Sequence, residues 1–596
     1  MWPFSSYPEL SLNQVADEYN FIIVGGGTAG AVLANRLSAQ ETNKVLLIER
    51  GPVADDWASR VPLLSSDFAS DGSRTRKVLS TLQSNLGRPI ELYTGSALGG
   101  TSRINQMLYG RGLPAEYDAW RDAGNPGWGW EDMKPYFLKS ERALYSCDPS
   151  VHNTTGEWCN QSTENFDGLA FPGFSYVIEA SEYLGLPKIA DINSPVHPAI
   201  GCGMLHFTRD QNQHRSSTYH AFLPVNLALE RASRLHIVTR TEAIKLIVNS
   251  ELKSDKLTVE GVTLKSSITT EQRTVKARKE VILCGGPFGS PHLLMLSGIG
   301  PALHLKEKDI AVVKDIPAVG SNLQDHFGVS VAFEKRPWIF FIELFKYLIF
   351  GTGLLLAPVL QLALFASSTL LDDEGLPKHK KATVKDENES NVLPDIEIMP
   401  VSVSSPKYFR TTVHGYYHWM AYDSTDCPGT NRGVFSFLNV LLHPQSKGTV
   451  RLSSANPSDP LVIDPKYLCH PSDYAPLRAS LKLTLRLRDR MLKQGYPLKD
   501  FGVPDGEDDA SLDKFICKRN RTTYHYSSTC HMGPSNGKED GGVVDEELFV
   551  HGFGNLRIAD SESSVFPWVL GTHLQAPTVA VAEKCADMIL LRDLIS

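Results

Sequence analysis

The stretch FIIVGGGTAGAVLANRL, residues 21–37, restricts the fold of this chain more than any other. Phe21 to Val24 is apolar and rich in β-branched residues, the pattern of a buried strand. Gly25, Gly27 and Gly30 then give the G-x-G-x-x-G spacing. The first glycine permits a tight turn, the second lets a pyrophosphate approach the backbone, and the third lets a helix pack close to the strand. The helix starts near Thr28, with Ala29 and Gly30 in its first turn, and aims its N-terminal N–H groups at the phosphates. A second apolar run, VLLIERG, places Glu49 19 residues beyond Gly30, where a carboxylate can accept hydrogen bonds from an adenosine ribose. The unit is α/β and of Rossmann type. The pattern alone does not separate NAD from FAD.

A chain of 596 residues exceeds one ordinary core, so two large domains are expected. Hydrophobic residues at 42% and charged residues at 21% describe a globular protein. The net charge of −8 comes without any basic block, which argues against nucleic-acid binding. Nine cysteines without a C-x-x-C pair indicate neither a zinc ribbon nor a disulfide scaffold. Two readings of compartment stand side by side. The start, MWPFSSYPELSLNQVADEYN, lacks the basic and apolar regions of a secretory signal, which favours an intracellular protein. Sequons at Asn153, Asn160, Asn388 and Asn520, with Cys147 and Cys159 close enough for a local disulfide, fit a secreted one.

Residues 347–371, YLIFGTGLLLAPVLQLALFASSTLL, are long enough to cross a bilayer. Gly351, Gly353, Pro358 and Gln361 interrupt them, and polar regions flank them. We read them as a buried part of a substrate domain, lining near a binding pocket, and expect no membrane span. A membrane-anchored binding protein is the competing reading. Residues 376–392, rich in charge, read as an exposed loop.

Strand-like runs recur at LHIVTRTEAIKLIVN and KLTVEGVTLKSS, and KEVILCGGPFGSPHLLMLSGIG repeats the order strand, glycine turn, helix. TVAVAEKCADMILLRDLI near the C-terminus reads as an apolar helix. Nucleotide-binding features thus run from end to end, as in a discontinuous cofactor domain carrying substrate-domain insertions.

Five stretches carry a family resemblance: FIIVGGGTAG with Glu49; GSALGGTSRINQMLYGRG, residues 95–112; GGPFGSPHLLMLSGIGP, residues 285–301; VGSNLQDH, residues 319–326; and the pair YHYSSTCHMG and LRIADSESSVFPWVLGTHLQAPT. Together they resemble the glucose–methanol–choline (GMC) family of FAD-dependent oxidoreductases, over nearly the whole chain. The resemblance implies a discontinuous FAD-binding domain at 18–125, 215–325 and 540–596. It implies a substrate-binding domain, an antiparallel sheet with helices, at 126–214 and 326–539. Thr101, Ser102 and Asn105 match the stretch that lines the flavin, and Val238 the position whose backbone meets the adenine. Asp560, Pro577 and Thr578 match further cofactor contacts. Some relatives attach flavin through a histidine in the 99–112 loop. This chain has none there, so FAD is expected to be noncovalent.

Flavin alcohol oxidation needs a base for the hydroxyl proton, a flavin N5 to accept hydride, and a dry site. Histidine suits a base near neutrality. The resemblance implies His525, in TTYHYSSTCHMG, as the base, and His573, in GTHLQAPT, as its partner toward the substrate oxygen. His531 reads as a supporting neighbour and Tyr524 as a pocket wall. Relatives follow the first histidine with Pro-Val-Gly-Thr, where this chain has Tyr526, Ser527, Ser528 and Thr529. The expected reaction is FAD-dependent oxidation of a small alcohol to the carbonyl, with oxygen or a quinone-like acceptor taking the electrons. The altered loop leaves a non-redox lyase or cyclase on the same scaffold as the alternative.

Overall fold

Val45–Ile48 is buried along its whole length and lies between two parallel partners, Glu18–Val24 and Leu235–Val238. Such a strand has no polar face to offer solvent, so its sequence is a continuous apolar run. Register sets Phe21 opposite Val45 and Val24 opposite Ile48, which brings the glycine turn and Glu49 to one edge of the sheet. This computed structural model describes the chain except residues 1–6, 66–72, 146, 163–170, 172, 196–197, 250–255, 336–339, 379–391, 405–432, 561–563 and 596.

Across the first sheet the strands run Glu9–Leu10, Leu235–Val238, Val45–Ile48, Glu18–Val24, Gln272–Leu283, Thr258–Ser266 and Thr241–Asn249. Leu556–Ile558 adds itself beside Gln272–Leu283, with Leu283 opposite Ile558. The helix Thr28–Ser38 packs against the C-terminal helix Gln575–Ile595. Arg36 meets Glu583 across that contact at 2.6 Å, which supplies the partner a fully buried carboxylate requires.

The second sheet is mostly antiparallel. Its order is Lys499–Gly502, Phe327–Lys335, Gly433–Leu441, Ile396–Ser404, Leu362–Ala366, Gly201–Met204 and Lys188–Ile189, with Asn520–Thr522 also paired to Phe327–Lys335. The helix Tyr474–Lys493 packs against it, burying Leu477, Leu481, Leu485 and Met491. A small sheet of Leu108–Tyr109, His206–Phe207, Trp158–Ser162 and Glu141–Ala143 lies beside the cofactor-side loop.

The apolar run 347–371 is not one element. It divides among the end of a helix, Phe340–Phe350, a short turn, Leu354–Leu356, and a strand, Leu362–Ala366. Gly351 and Gly353, both at positive φ, break it. Residues 355–364 are buried, as expected, but Phe345, Leu348, Ile349 and Phe350 are exposed, which corrects the reading of the whole segment as interior. Among the described residues no helix is long and apolar enough to cross a membrane. Cys147 and Cys159 are free thiols, so the local disulfide is not formed. Asn160 and Asn520 are buried, a poor setting for a glycan. Asn388 and most of the loop 376–392 lie outside the described residues.

Candidate active site

The glycine turn is built as its spacing requires. Gly25 sits at φ +108, and a Cβ there would come within 2.1 Å of the Cys284 carbonyl oxygen. A Cβ on Gly30 would come within 1.9 Å of the Gly25 oxygen, so nothing larger lets the helix approach the strand. The helix starts at Thr28, with Ala29 next and Gly27 as its N-cap. Gly100, at φ +55, leans on the Gly27 Cα from the neighbouring loop.

A cleft enclosing about 1050 Å³, its open mouth included, runs along this turn. Gly25, Gly27, Glu49, Thr101, Gly286 and Phe288 are among its walls. Glu49 is buried. Its Oε2 accepts from the Gly26 N–H at 2.9 Å and its Oε1 from the Gly51 N–H at 2.8 Å. Burial pushes its pKa up, against those hydrogen bonds. Each carboxylate oxygen keeps further lone-pair capacity for a ribose hydroxyl. Thr28 and Thr101 hydroxyls meet at 3.5 Å across the cleft floor.

Val238 is not among the walls of this cleft. It is wholly buried, paired with Ile48 on one side and Leu10 on the other, and its carbonyl accepts the Glu49 N–H. Thr241, Glu242 and Ala243 form the wall instead. A β-bulge between Ala243 and Lys245 breaks the ladder there.

The loop carrying Thr101, Ser102 and Asn105 forms a short turn, Gly100–Arg103. The Ser102 hydroxyl donates to the Gly99 carbonyl at 2.6 Å and accepts the Thr218 N–H at 3.1 Å, so it shapes the loop from inside. Arg103 turns inward onto the carbonyls of Val53 and Leu98. Asn105 donates to the Gln575 side chain and accepts from the Met107 N–H at 2.9 Å. It thereby joins this loop to the start of the C-terminal helix, whose first turn holds Pro577 and Thr578. Among the described residues, the buried polar atoms without a partner here include Asp560 Oδ2 and Thr578 Oγ1. Asp560 faces Gly286, a cleft residue, and burial pushes its pKa up to about 6. Orphaned acceptors beside a nucleotide turn fit a ligand rich in hydroxyl and ring N–H groups, as FAD is.

His525 and His573 come from separate segments and meet. His525 Nε2 faces His573 Nδ1 at 3.3 Å, with ring centroids 5.0 Å apart and the planes near perpendicular. The pair extends at both ends. His525 Nδ1 faces His326 Nδ1 at 2.9 Å, and His573 Nε2 meets Glu397 Oε1 at 3.1 Å. Burial, followed by the neighbouring His573 and His326, holds the His525 pKa well below the ordinary histidine value. Burial pushes His326 down to about 3. Asp325 sets the His525 backbone. Its Oδ1 accepts the His525 N–H at 2.8 Å, while Oδ2 accepts from Tyr467 at 2.5 Å and Thr522 at 2.6 Å. Glu116 secures the other segment, accepting from the Gly571 N–H at 2.5 Å.

The Tyr-Ser-Ser sequence after His525 keeps the loop attached to the cleft. Tyr526 stacks on the cleft residue Phe288, with centroids 4.9 Å apart, and the Thr529 hydroxyl donates to the Pro287 carbonyl at 2.8 Å. Ser528 adopts φ +68, a left-handed conformation, at the place where relatives have glycine. Tyr524 packs edge-on to Tyr93, 6.0 Å between centroids. His531 is directed at the Asp540 carbonyl, 3.4 Å away, and has no contact with the histidine pair.

Sequence reasoning missed Glu397, Asp325, His326 and Ala243 as site residues. Glu397 left a signal: a lone acid inside the apolar strand of Ile396, Ile398 and Met399, fully buried. Such a carboxylate needs a partner, and the partner is His573.

A dinucleotide cleft attached to a buried histidine pair defines a cofactor-dependent oxidoreductase. The chain belongs to the GMC oxidoreductases: residues 19–328 match the family's N-terminal part and 444–582 its C-terminal part. It is thus an FAD-dependent enzyme of a family that acts on alcohols. It is 32% identical to Dehydrogenase str4 of Strobilurus tenacellus, over 96% of this chain and 94% of the relative. It is 30% identical to an alcohol dehydrogenase (acceptor) of Pseudomonas putida, over 96% of each. The fold matches pyridoxine 4-oxidase from Mesorbium loti with a TM-score of 0.78 at 25% identity, covering 96% of this chain and 99% of that one. It matches a formate oxidase variant of Aspergillus oryzae RIB40 with a TM-score of 0.80 at 26% identity, covering 97% and 99%.

Proposed function

We propose that the protein oxidises the CH–OH group of a small alcohol to a carbonyl, with His525 as the base and His573 as the group that holds the substrate oxygen. The observation that carries this reading is the 3.3 Å approach of His525 Nε2 to His573 Nδ1. A hydroxyl that displaces this direct contact can donate to one imidazole and accept from the other. FAD, when bound, supplies through its N5 an acceptor for the hydride. The protein's own part is to take the hydroxyl proton and keep water out. A depressed pKa keeps His525 neutral, with a lone pair to receive that proton. In this reading His573, with Glu397 behind its Nε2, donates from Nδ1 to the alkoxide that develops.

Glu397 also favours a second reading. If a neutral His573 donates its Nε2–H to Glu397, its Nδ1 becomes the acceptor, and His573 takes the proton while His525 donates. The two readings differ in which histidine is the base.

FAD is held noncovalently in this proposal, because residues 99–112 contain no histidine. Acid precipitation should release yellow flavin into the supernatant, and flavin retained in the pellet would overturn the noncovalent part. Electrons pass on to oxygen or a quinone-like acceptor.

The test is stopped-flow flavin reduction by a panel of aromatic, aliphatic and sugar alcohols without oxygen, using His525→Ala, His573→Ala and the double variant at equal FAD loading. General-base catalysis contributes about 10²–10⁴-fold, so His525→Ala should lose that much. The two losses should not add, because both groups serve one transition state. A severe loss in His573→Ala with a mild one in His525→Ala would exchange the roles. No flavin bleaching with any alcohol would remove the redox reading.

A further inference from the structure

A second cluster of ligating side chains lies outside the cleft and the histidine pair. His152, Asp191 and His206 bring one donor atom each to within 4.8 Å of one another. His152 Nε2 faces Asp191 Oδ2 at 2.8 Å, and His206 Nε2 faces Asp191 Oδ1 at 3.5 Å. Both imidazoles are buried, with 3% of their surface exposed, and Asp191 opens to solvent at one side. We propose that His152, His206 and Asp191 form a binding site for a divalent first-row cation, with Zn²⁺ the occupant.

Two features support a built site over an ordinary ion pair. First, both Nε2 atoms point at one carboxylate. A salt bridge needs one histidine there, and a second buried imidazole aimed at the same group gains little from a contact of 3.5 Å. Second, each histidine has its other nitrogen held. His152 Nδ1 faces Glu141 Oε1 at 2.9 Å, and His206 Nδ1 faces the Tyr145 hydroxyl at 3.1 Å. Such contacts are the outer support that orients a ligating imidazole. Beside them, Arg111 bonds Glu141 Oε2 at 2.7 Å.

The geometry needs small movement. Ligands bound to tetrahedral zinc at about 2.0–2.1 Å stand about 3.4 Å from one another. Turning Asp191 outward by about 1 Å opens the 2.8 Å contact to that spacing. Two nitrogens and one carboxylate oxygen leave a fourth position for water on the solvent side. The donor set suits zinc, while the all-oxygen shells of calcium and magnesium do not match it.

The cation would fasten the wall behind His573. His152 lies in the loop after Glu141–Ala143, Asp191 after Lys188–Ile189, and His206 on the strand paired with Leu108–Tyr109. Arg111 Nη1 donates to the Val151 carbonyl at 2.6 Å, and the Arg111 N–H to Asn193 Oδ1 at 2.9 Å. Between Tyr109 and Arg111, Gly110 lies against Thr572, where a Cβ would meet Oγ1 at 2.4 Å.

The experiment uses full-length, FAD-loaded protein stripped with a chelator, incubated with Zn²⁺ and passed through gel filtration. Elemental analysis should find one zinc retained per chain in the parent, and none in Asp191→Asn or His206→Gln. A parent that retains no zinc, or variants that retain as much as the parent, would overturn the proposal. Should the variants fail to fold, zinc-soaked crystals of the parent decide. An anomalous peak among His152, Asp191 and His206 supports the site, and its absence there refutes it.

Discussion

His573 Nε2 rests on Glu397 Oε1 at 3.1 Å, a buried carboxylate behind the imidazole that completes the histidine pair. Glu397→Gln keeps an acceptor in place and removes the charge. A charge-assisted hydrogen bond contributes about 1.5–3 kcal/mol, so flavin reduction should slow by about 10- to 100-fold. Rapid-mixing measurement at full FAD occupancy checks this. A rate within twofold of the parent would show that Glu397 serves the fold and not the reaction.

Flavin reduction should stay flat as the pH falls through the ordinary histidine value. His525 is depressed, so it remains deprotonated at pH values where an exposed imidazole already carries its proton. The acid limb of the rate should therefore lie clearly below pH 6.5, the unperturbed histidine value. A limb centred at or above that value would assign the titrating group elsewhere.

Glu49→Ala should weaken FAD binding without slowing the chemistry of loaded enzyme. Both of its oxygens already hold backbone N–H groups, of Gly26 and Gly51, so the substitution also loosens the turn. A bond from the carboxylate to the ribose at about 1.5–3 kcal/mol makes a loss of roughly 10- to 100-fold in affinity the expected scale. Flavin fluorescence titration of apoprotein reads the affinity, and single-turnover reduction reads the chemistry. A large fall in the second quantity would place Glu49 in the reaction.

Ser528→Gly should stabilise the protein. The serine sits at φ +68, where a Cβ costs about 1–2 kcal/mol that glycine does not. Glycine loses more backbone entropy on folding and removes the 3.2 Å contact with the Ser527 hydroxyl, so the net gain should be roughly 0.5–1 kcal/mol. Thermal melting of the loaded enzyme should move upward. A fall would mean that the serine pair outweighs the strain.

What the sequence disclosed follows from distance along the chain. The turn from Phe21 to Gly30 and the acid at Glu49 are local, so spacing alone announces them. Thr28 and Glu49 stand where that spacing predicts. The histidine pair was legible through its flanking motifs. Glu397 was not, because it reaches His573 across 176 residues through the second sheet. Val238 and Ala243 sit on strands that follow one another in the chain, and the bulge beside Ala243 has no sequence mark. His152, Asp191 and His206 are brought together by three separate loops and strands, with no spacing pattern among them.

The pairing of Leu556–Ile558 with Gln272–Leu283, and of the helix Gln575–Ile595 with Thr28–Ser38, makes the nucleotide fold depend on both ends of the chain. Contacts of such sequence separation form late, since loop closure must precede any reward. During synthesis the first strands emerge long before the strand and helix that complete their layer. They wait with apolar edges uncovered, the state in which large chains aggregate or need chaperones. Cofactor loading is therefore an event of the finished polypeptide. A premature stop ahead of residue 575 removes a catalytic fold from the whole molecule, not merely its tail.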